Sequence, residues 1–176
     1  MRSPIYNPET LPVKTLLILR HAKSSWRHAS LPDHDRGLNK RGKRDAPRIG
    51  ALILDRGLVP SLIVSSSANR AVTTAEIVGE TCGYEHEIII AKDLYSGGMQ
   101  AYRAILRRTP DHHGSVLVVG HNPDMEELVE VLTEGYRRMP TAALAQLSLP
   151  IDSWTEFGLT STCNLVNLWL PRELQS

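Results

Sequence analysis

The chain has 176 residues, enough for a single domain whose core folds unaided. Hydrophobic residues make up 41% and charged residues 22%, the balance of a soluble globular protein, and a formal net charge of +1 gives no electrostatic basis for binding nucleic acid or an anionic membrane. No apolar run approaches the ~20 residues of a bilayer-spanning helix, and residues 1–14 lack the apolar stretch of a secretory signal, so a cytoplasmic protein is expected.

Residues 1–14 are polar and proline-rich and are expected to form a flexible N-terminal arm, with residues 15–176 as one domain. The run at 15–19, Thr-Leu-Leu-Ile-Leu, is continuously apolar and stops in charge, which suits a strand buried on both faces. Residues 61–65, 86–90 and 115–119 repeat that pattern. Between them lie helical stretches. One runs from Asn39 as N-cap to Gly57, with Ile49, Leu52 and Ile53 inward; Pro47 inside it predicts a kink or a late start. Others span 69–81 (closed by Gly83), 99–108 and 124–133, where Met125, Leu128, Val129 and Leu132 share one face. Residues 142–149 and 163–170 alternate and are expected as sheet-edge strands. This order predicts a three-layer α/β/α sandwich with a mostly parallel sheet. Cys82 and Cys163 lie in no C-x-x-C pattern and are expected to be free thiols.

In an open α/β sheet, functional groups gather beyond the carboxyl ends of the strands. The first strand ends in Arg20-His21, the second in Ser65-Ser66-Ser67 with Arg70 on the next helix turn, and the fourth in Gly120-His121-Asn122-Pro123. Each has a plainer account taken singly: a salt-bridging pair, a surface arginine, a turn. Together they place planar guanidinium forks, suited to phosphoryl oxygens, beside imidazoles able to act as nucleophile or proton carrier. Gly120 is expected to allow close backbone approach before His121. The set predicts an oxyanion site containing a nucleophile.

Arg20-His21-Ala22 resembles the Arg-His-Gly signature of the histidine phosphatase superfamily, which includes cofactor-dependent phosphoglycerate mutase. Four blocks carry the likeness further: RHAKSSW (20–26), DHDRGLNKRG (33–42), SSSANRAVTTAE (65–76) and VVGHNPDMEELVEVLT (118–133). In that order they resemble the SixA-type phosphohistidine phosphatases, small members without the large cap of the mutases. The resemblance implies a phosphoglycerate mutase-like fold and His21 as the nucleophile that becomes phosphorylated. Arg20, Arg70 and His121 would complete the phosphate pocket, with no cofactor or metal. The implied substrate is a phosphohistidine protein; a small phosphorylated molecule handled by the same pocket is the alternative, and a non-catalytic phosphate-binding module the alternative of another class. Oligomeric state is left open.

The chain departs from the family pattern at Ala22, which replaces glycine, and at Ser67 and Asn69, which replace proline and leucine; Ser67 is expected to cap the following helix. Mutase-like relatives use a glutamate as general acid. The carboxylates in that interval are Glu76, Glu80, Glu85, Glu87, Asp93 and Asp111, of which Asp93 is best placed. A missing acid favours a phosphoramidate, because a histidine leaving group carries its own proton whereas an alkoxide needs a donor. Asp33-His34-Asp35 is expected as a loop at the pocket rim, with Asp35 and Arg36 orienting each other or a pocket arginine. Lys23 and Arg27 can add positive potential at the mouth, and the run 40–44 can help dock an acidic phosphoprotein. His28, His112 and His113 are expected at the surface. Trp26 and Trp154 are expected to pack, with shaping of the cleft as the alternative.

Overall fold

The computed structural model describes residues 13–26, 30–160 and 163–174, so most of the expected arm, with Arg27 and His28, lies outside the described residues. The elements in order are β1 (Lys14–Arg20), α1 (Lys40–Asp55), β2 (Leu62–Ser66), α2 (Asn69–Cys82), β3 (Ile89–Ala91), α3 (Gly98–Arg107), β4 (Ser115–Gly120), α4 (Asp124–Thr133), β5 (Leu144–Leu149) and β6 (Asn164–Trp169). One six-stranded sheet has the order β3-β2-β4-β1-β5-β6. Its first four strands are parallel; β5 runs antiparallel to β1, and β6 antiparallel to β5.

Period-two alternation sorts the strand residues into two cores. Leu17, Leu19, Ile63, Leu117 and Val119 face α1 and α2, meeting Ile49, Ile53, Ala75 and Val78. Leu16, Ile18, Val64, Val116 and Val118 face α3 and α4, meeting Tyr102, Leu106 and the expected α4 stripe of Met125, Leu128, Val129 and Leu132. The result is the expected three-layer sandwich. Because β1 and β4 are covered on both faces, their sequences read as unbroken apolar runs.

Three local expectations need correction. The third apolar run yields only the short strand β3, with Ile89 49% and Ile90 45% exposed. It pairs only with β2, and an edge strand lacks the second neighbour that would bury it. Helix α1 does not start late: Asn39 Oδ1 accepts the Gly42 N–H at 2.9 Å, and the helix continues through Pro47. Of the expected edge strands only β6 is an edge, since β5 lies between β1 and β6.

Register aligns the ends of the central strands. Arg20 lies opposite Gly120, and Ser65 opposite Val119, so β1, β4 and β2 all stop at one edge of the sheet. His21, His121 and Ser66 therefore meet there.

Candidate active site

His21 follows the last residue of β1 and is 8% exposed. Its backbone is fixed on both sides: the His21 N–H donates to Gly120 O at 2.9 Å, and His21 O accepts the Ala142 N–H at 3.1 Å. Ala142 has φ +61°, a left-handed conformation costly for a residue with a Cβ, and from there its N–H also reaches Arg20 O at 3.0 Å. The ring is oriented by Ala22 O, 2.7 Å from Nδ1. A carbonyl only accepts, so Nδ1 carries the proton and the lone pair of the neutral ring lies on Nε2. Nε2 makes no hydrogen bond among the described residues. Burial, reinforced by the neighbouring His121, Arg70 and Arg20, pushes the imidazole down to about 3 against the pull of the Ala22 carbonyl, so the ring is neutral at pH 7.

His121 sits 5.0 Å from His21, ring centroid to centroid. Its Nε2 lies 2.8 Å from the hydroxyl of Ser66, at the end of β2. Burial, then the charge of Arg70, lowers it to about 4. Gly120 before it serves packing rather than ligand approach. A Cβ there would fall 1.9 Å from the Tyr102 hydroxyl, so the missing side chain makes room for a core tyrosine.

Arg20 and Arg70 complete the group. Arg20 Nη1 donates to Met139 O at 2.8 Å, and Asn122 Nδ2 donates to the same carbonyl at 3.1 Å. Desolvation lowers the Arg20 guanidinium from its ordinary value, although Glu126 works in the opposite direction. Arg70 is 6% exposed and donates from Nη1 to Asp33 O at 2.6 Å and from Nη2 to Asp33 Oδ2 at 2.9 Å. Nε of Arg20, Nε of Arg70 and Nδ1 of His121 are buried and have no hydrogen-bond partner among the described residues. Buried polar nitrogens left unpaired cost about 1–3 kcal/mol each. Arg36 Nη1 and Asn122 Oδ1, beside Asp33 and His121, are left unpaired in the same way, as are Arg48 Nε and His113 Nδ1 elsewhere.

Sequence reasoning missed the residues that arrange this group. Asp33, placed at the rim as expected, pairs with Arg70 and also with Arg36 Nη2 at 2.7 Å, while the Tyr95 hydroxyl donates to its Oδ2 at 3.0 Å. Partial burial alone would raise the Asp33 carboxyl, but Tyr95, Arg70 and Arg36 hold it below its usual range. Thus Asp33, rather than the expected Asp35, orients a pocket arginine. Ser67 does not cap α2: the N-cap is Ala68, and Ser67 Oγ lies 2.9 Å from His34 Nε2. Asn69 Nδ2 donates to Asp35 O at 3.1 Å. Both departures from the family pattern thus tie the 33–35 turn to the start of α2. His34 Nδ1 lies 3.2 Å from Asp35 Oδ1, while Asp33 pairs with Arg70 and Arg36; among the described residues, no three His, Cys, Asp or Glu side chains are placed to hold an ion.

Asp93 is exposed, and its side chain has no hydrogen bond among the described residues. From the same turn it is Tyr95 that reaches the site, its ring 5.8 Å from His121 and 4.9 Å from His34. Thr74, fully buried on α2, accepts the Ala22 N–H at 3.0 Å and donates to Arg70 O at 2.6 Å, linking the supports of His21 and Arg70. Trp154 is core and donates from Nε1 to His113 O at 2.7 Å. Trp26 is 71% exposed, so packing does not hold for it; the Arg36 guanidinium lies 3.4 Å from its ring centroid.

The site thus holds a buried neutral histidine beside a second histidine and two arginines, at the carboxyl edge of the sheet. Residues 16–95 match the histidine phosphatase superfamily (branch 1). An uncharacterized chloroplastic protein of Arabidopsis thaliana is 32% identical over 160 residues, covering 85% of this chain and 73% of that protein. The crystal structure of a protein assigned as the phosphohistidine phosphatase SixA of Agrobacterium tumefaciens superposes with a TM-score of 0.75 at 28% identity, covering 90% of this chain and 98% of the other. The protein histidine phosphatase SixA complexed with tungstate superposes at 0.78 with 22% identity, over 92% and 99% of the two chains. The chain spans only 29% of the length of the 2,3-bisphosphoglycerate-dependent phosphoglycerate mutase of Mycobacterium leprae that it matches. The chain belongs to the histidine phosphatase superfamily. No helix among the described residues is long and apolar enough to cross a membrane.

Proposed function

We propose that the protein is a phosphohistidine phosphatase in which His21 Nε2 takes the phosphoryl group. The observation that carries this is the His21 ring itself: Nδ1 is committed to Ala22 O, and the lone pair on Nε2 is directed away from that tether. Nε2 attacks phosphorus as the P–N bond to the substrate histidine breaks, and the departing imidazole keeps its proton on the distal nitrogen. Water then attacks phosphoryl-His21, releasing inorganic phosphate and restoring the ring. Arg20, Arg70 and His121 stabilise the equatorial oxygens in both steps, so the chain's own groups supply the neutralising charge.

The carboxylates near the pocket support a nitrogen-bound phosphoryl group as substrate. Asp33 is held anionic by its three donors, and Glu126 accepts the Met139 N–H at 2.8 Å behind Arg20. Asp33 is therefore not a protonated acid ready for an alkoxide. The test compares kcat/KM for a phosphohistidine peptide with that for an alkyl phosphomonoester. The phosphopeptide is expected to be the better substrate by at least about a hundredfold, the scale of general-acid assistance; preference for the ester would overturn the assignment.

A further inference from the structure

Beside the pocket lies a cleft of about 570 Å³, lined by Lys23, Trp26, Lys40, Arg41 and Lys43, with no aspartate or glutamate in its wall. Its floor is fixed by pairing between two loops: Asn39 N donates to Lys23 O at 2.9 Å, Ser25 N to Gly37 O at 2.9 Å, and Ser24 bridges Leu38. A Cβ on Gly42 would lie 2.3 Å from Lys23 O, so that glycine lets the start of α1 close onto the segment that follows His21. The cleft is therefore built against the site, two residues from its expected nucleophile.

The charge of the three lysines is uncompensated among the described residues. Arg41 is engaged by Thr141 at 3.1 Å and Asp45 at 3.8 Å, and Arg44 by Asp45 at 2.9 Å. The ammonium groups of Lys23, Lys40 and Lys43 have no partner among the described residues. Lys40, Arg41 and Lys43 also occupy the first turn of α1, which carries no acid, where the helix dipole makes cations unfavourable. An anionic partner relieves both mismatches.

We propose that this cleft docks an acidic polypeptide segment flanking the phosphorylated histidine of the substrate. Lysines are separate, strongly hydrated point charges, matched to carboxylates spread along a chain; the one guanidinium fork that would grip a second phosphate is already occupied. The exposed Trp26 ring offers a flat surface for the peptide to cover. A physical link runs inward from it, since Arg36 stacks on Trp26 and pairs with Asp33, which holds Arg70. The inference rests on the proposed phosphohistidine substrate only for what enters the pocket.

The test uses the full chain and two phosphohistidine peptides that differ only in flanks, Asp/Glu in one and Gln/Asn in the other. Wild type is expected to favour the acidic peptide about tenfold in kcat/KM at low salt, through KM, with the preference fading toward 1 M salt. The exposed-surface variants Lys40→Gln and Lys40→Gln/Lys43→Gln should cut the preference severalfold, leaving the Gln/Asn peptide and p-nitrophenyl phosphate unchanged. Equal use of both peptides by wild type, or an undiminished preference in the variants, overturns the proposal. If neither phosphopeptide is hydrolysed, the proposed substrate fails, and binding of the unphosphorylated acidic peptide decides the cleft alone. Binding to wild type that weakens in the variants upholds it, and no binding overturns it. Stronger competition by an RNA oligonucleotide of equal charge than by the acidic peptide also overturns it.

Discussion

Thr74 is the point at which the supports of His21 and Arg70 meet, and Thr74→Val isolates that role. Valine keeps the shape and removes one hydroxyl that accepts from Ala22 N–H at 3.0 Å and donates to Arg70 O at 2.6 Å. Thr74 is fully buried, so the Ala22 N–H is left without a partner, at a cost of about 1–3 kcal/mol. For a chain of this size, that is a fall in Tm of roughly 2–12 °C. The same change frees Ala22, whose carbonyl fixes the tautomer of His21, so kcat should fall about ten- to a hundredfold while KM moves less. Thr74→Ser retains the hydroxyl and should restore most of kcat, even though it loses a buried methyl. The assays are thermal melting and steady-state hydrolysis of p-nitrophenyl phosphate. A valine variant with wild-type kcat, or a serine variant as slow as valine, would refute the linkage.

Three further predictions follow from the same geometry. Gly120→Ala puts a Cβ 1.9 Å from the Tyr102 hydroxyl and should destabilise the fold by about 1–3 kcal/mol, a loss partly recovered in the double variant with Tyr102→Phe; additive losses in chemical denaturation would argue against that clash. Asp33→Asn keeps an acceptor for Arg70 but removes a charge that opposes an incoming anion, so the Ki of inorganic phosphate should fall roughly two- to tenfold, and an unchanged or higher Ki counts against it. His21 and His121 are pushed to about 3 and about 4 from an ordinary 6.5, so the unfolded chain binds more protons than the folded one between those values. Their contribution is complete above 6.5 and is lost as pH falls toward 3; melting curves between pH 7 and 4 should drop less for His121→Asn than for wild type.

The parts of the fold and site that were legible in the sequence are those fixed by local pattern. The runs ending in Arg20-His21 and Gly120-His121 mark their own strand ends because β1 and β4 are buried on both faces and must stop where charge begins. Arg70 follows from its helix, which starts at Asn69. The 86–90 run misled because apolar content does not distinguish a central strand from an edge. Asp33 and Tyr95 were present in the segments considered, yet nothing local separates them from Asp35 and Asp93. Their selection depends on a turn pinned across the molecule by Ser67, Asn69 and Arg70, contacts separated by more than thirty residues in the chain. The Met139 carbonyl that holds Arg20 is equally invisible, since a backbone acceptor has no sequence signature.

The central claim is that His21 carries the phosphoryl group, and the most direct measurement is transient labelling with a ³²P-phosphorylated substrate, quenched in base and mapped to a peptide. The account predicts a label that is stable in base, labile in acid, confined to the peptide containing His21 and abolished by His21→Ala with the fold intact. An acid-stable label, a label on another residue, or labelling that survives in His21→Ala would contradict it.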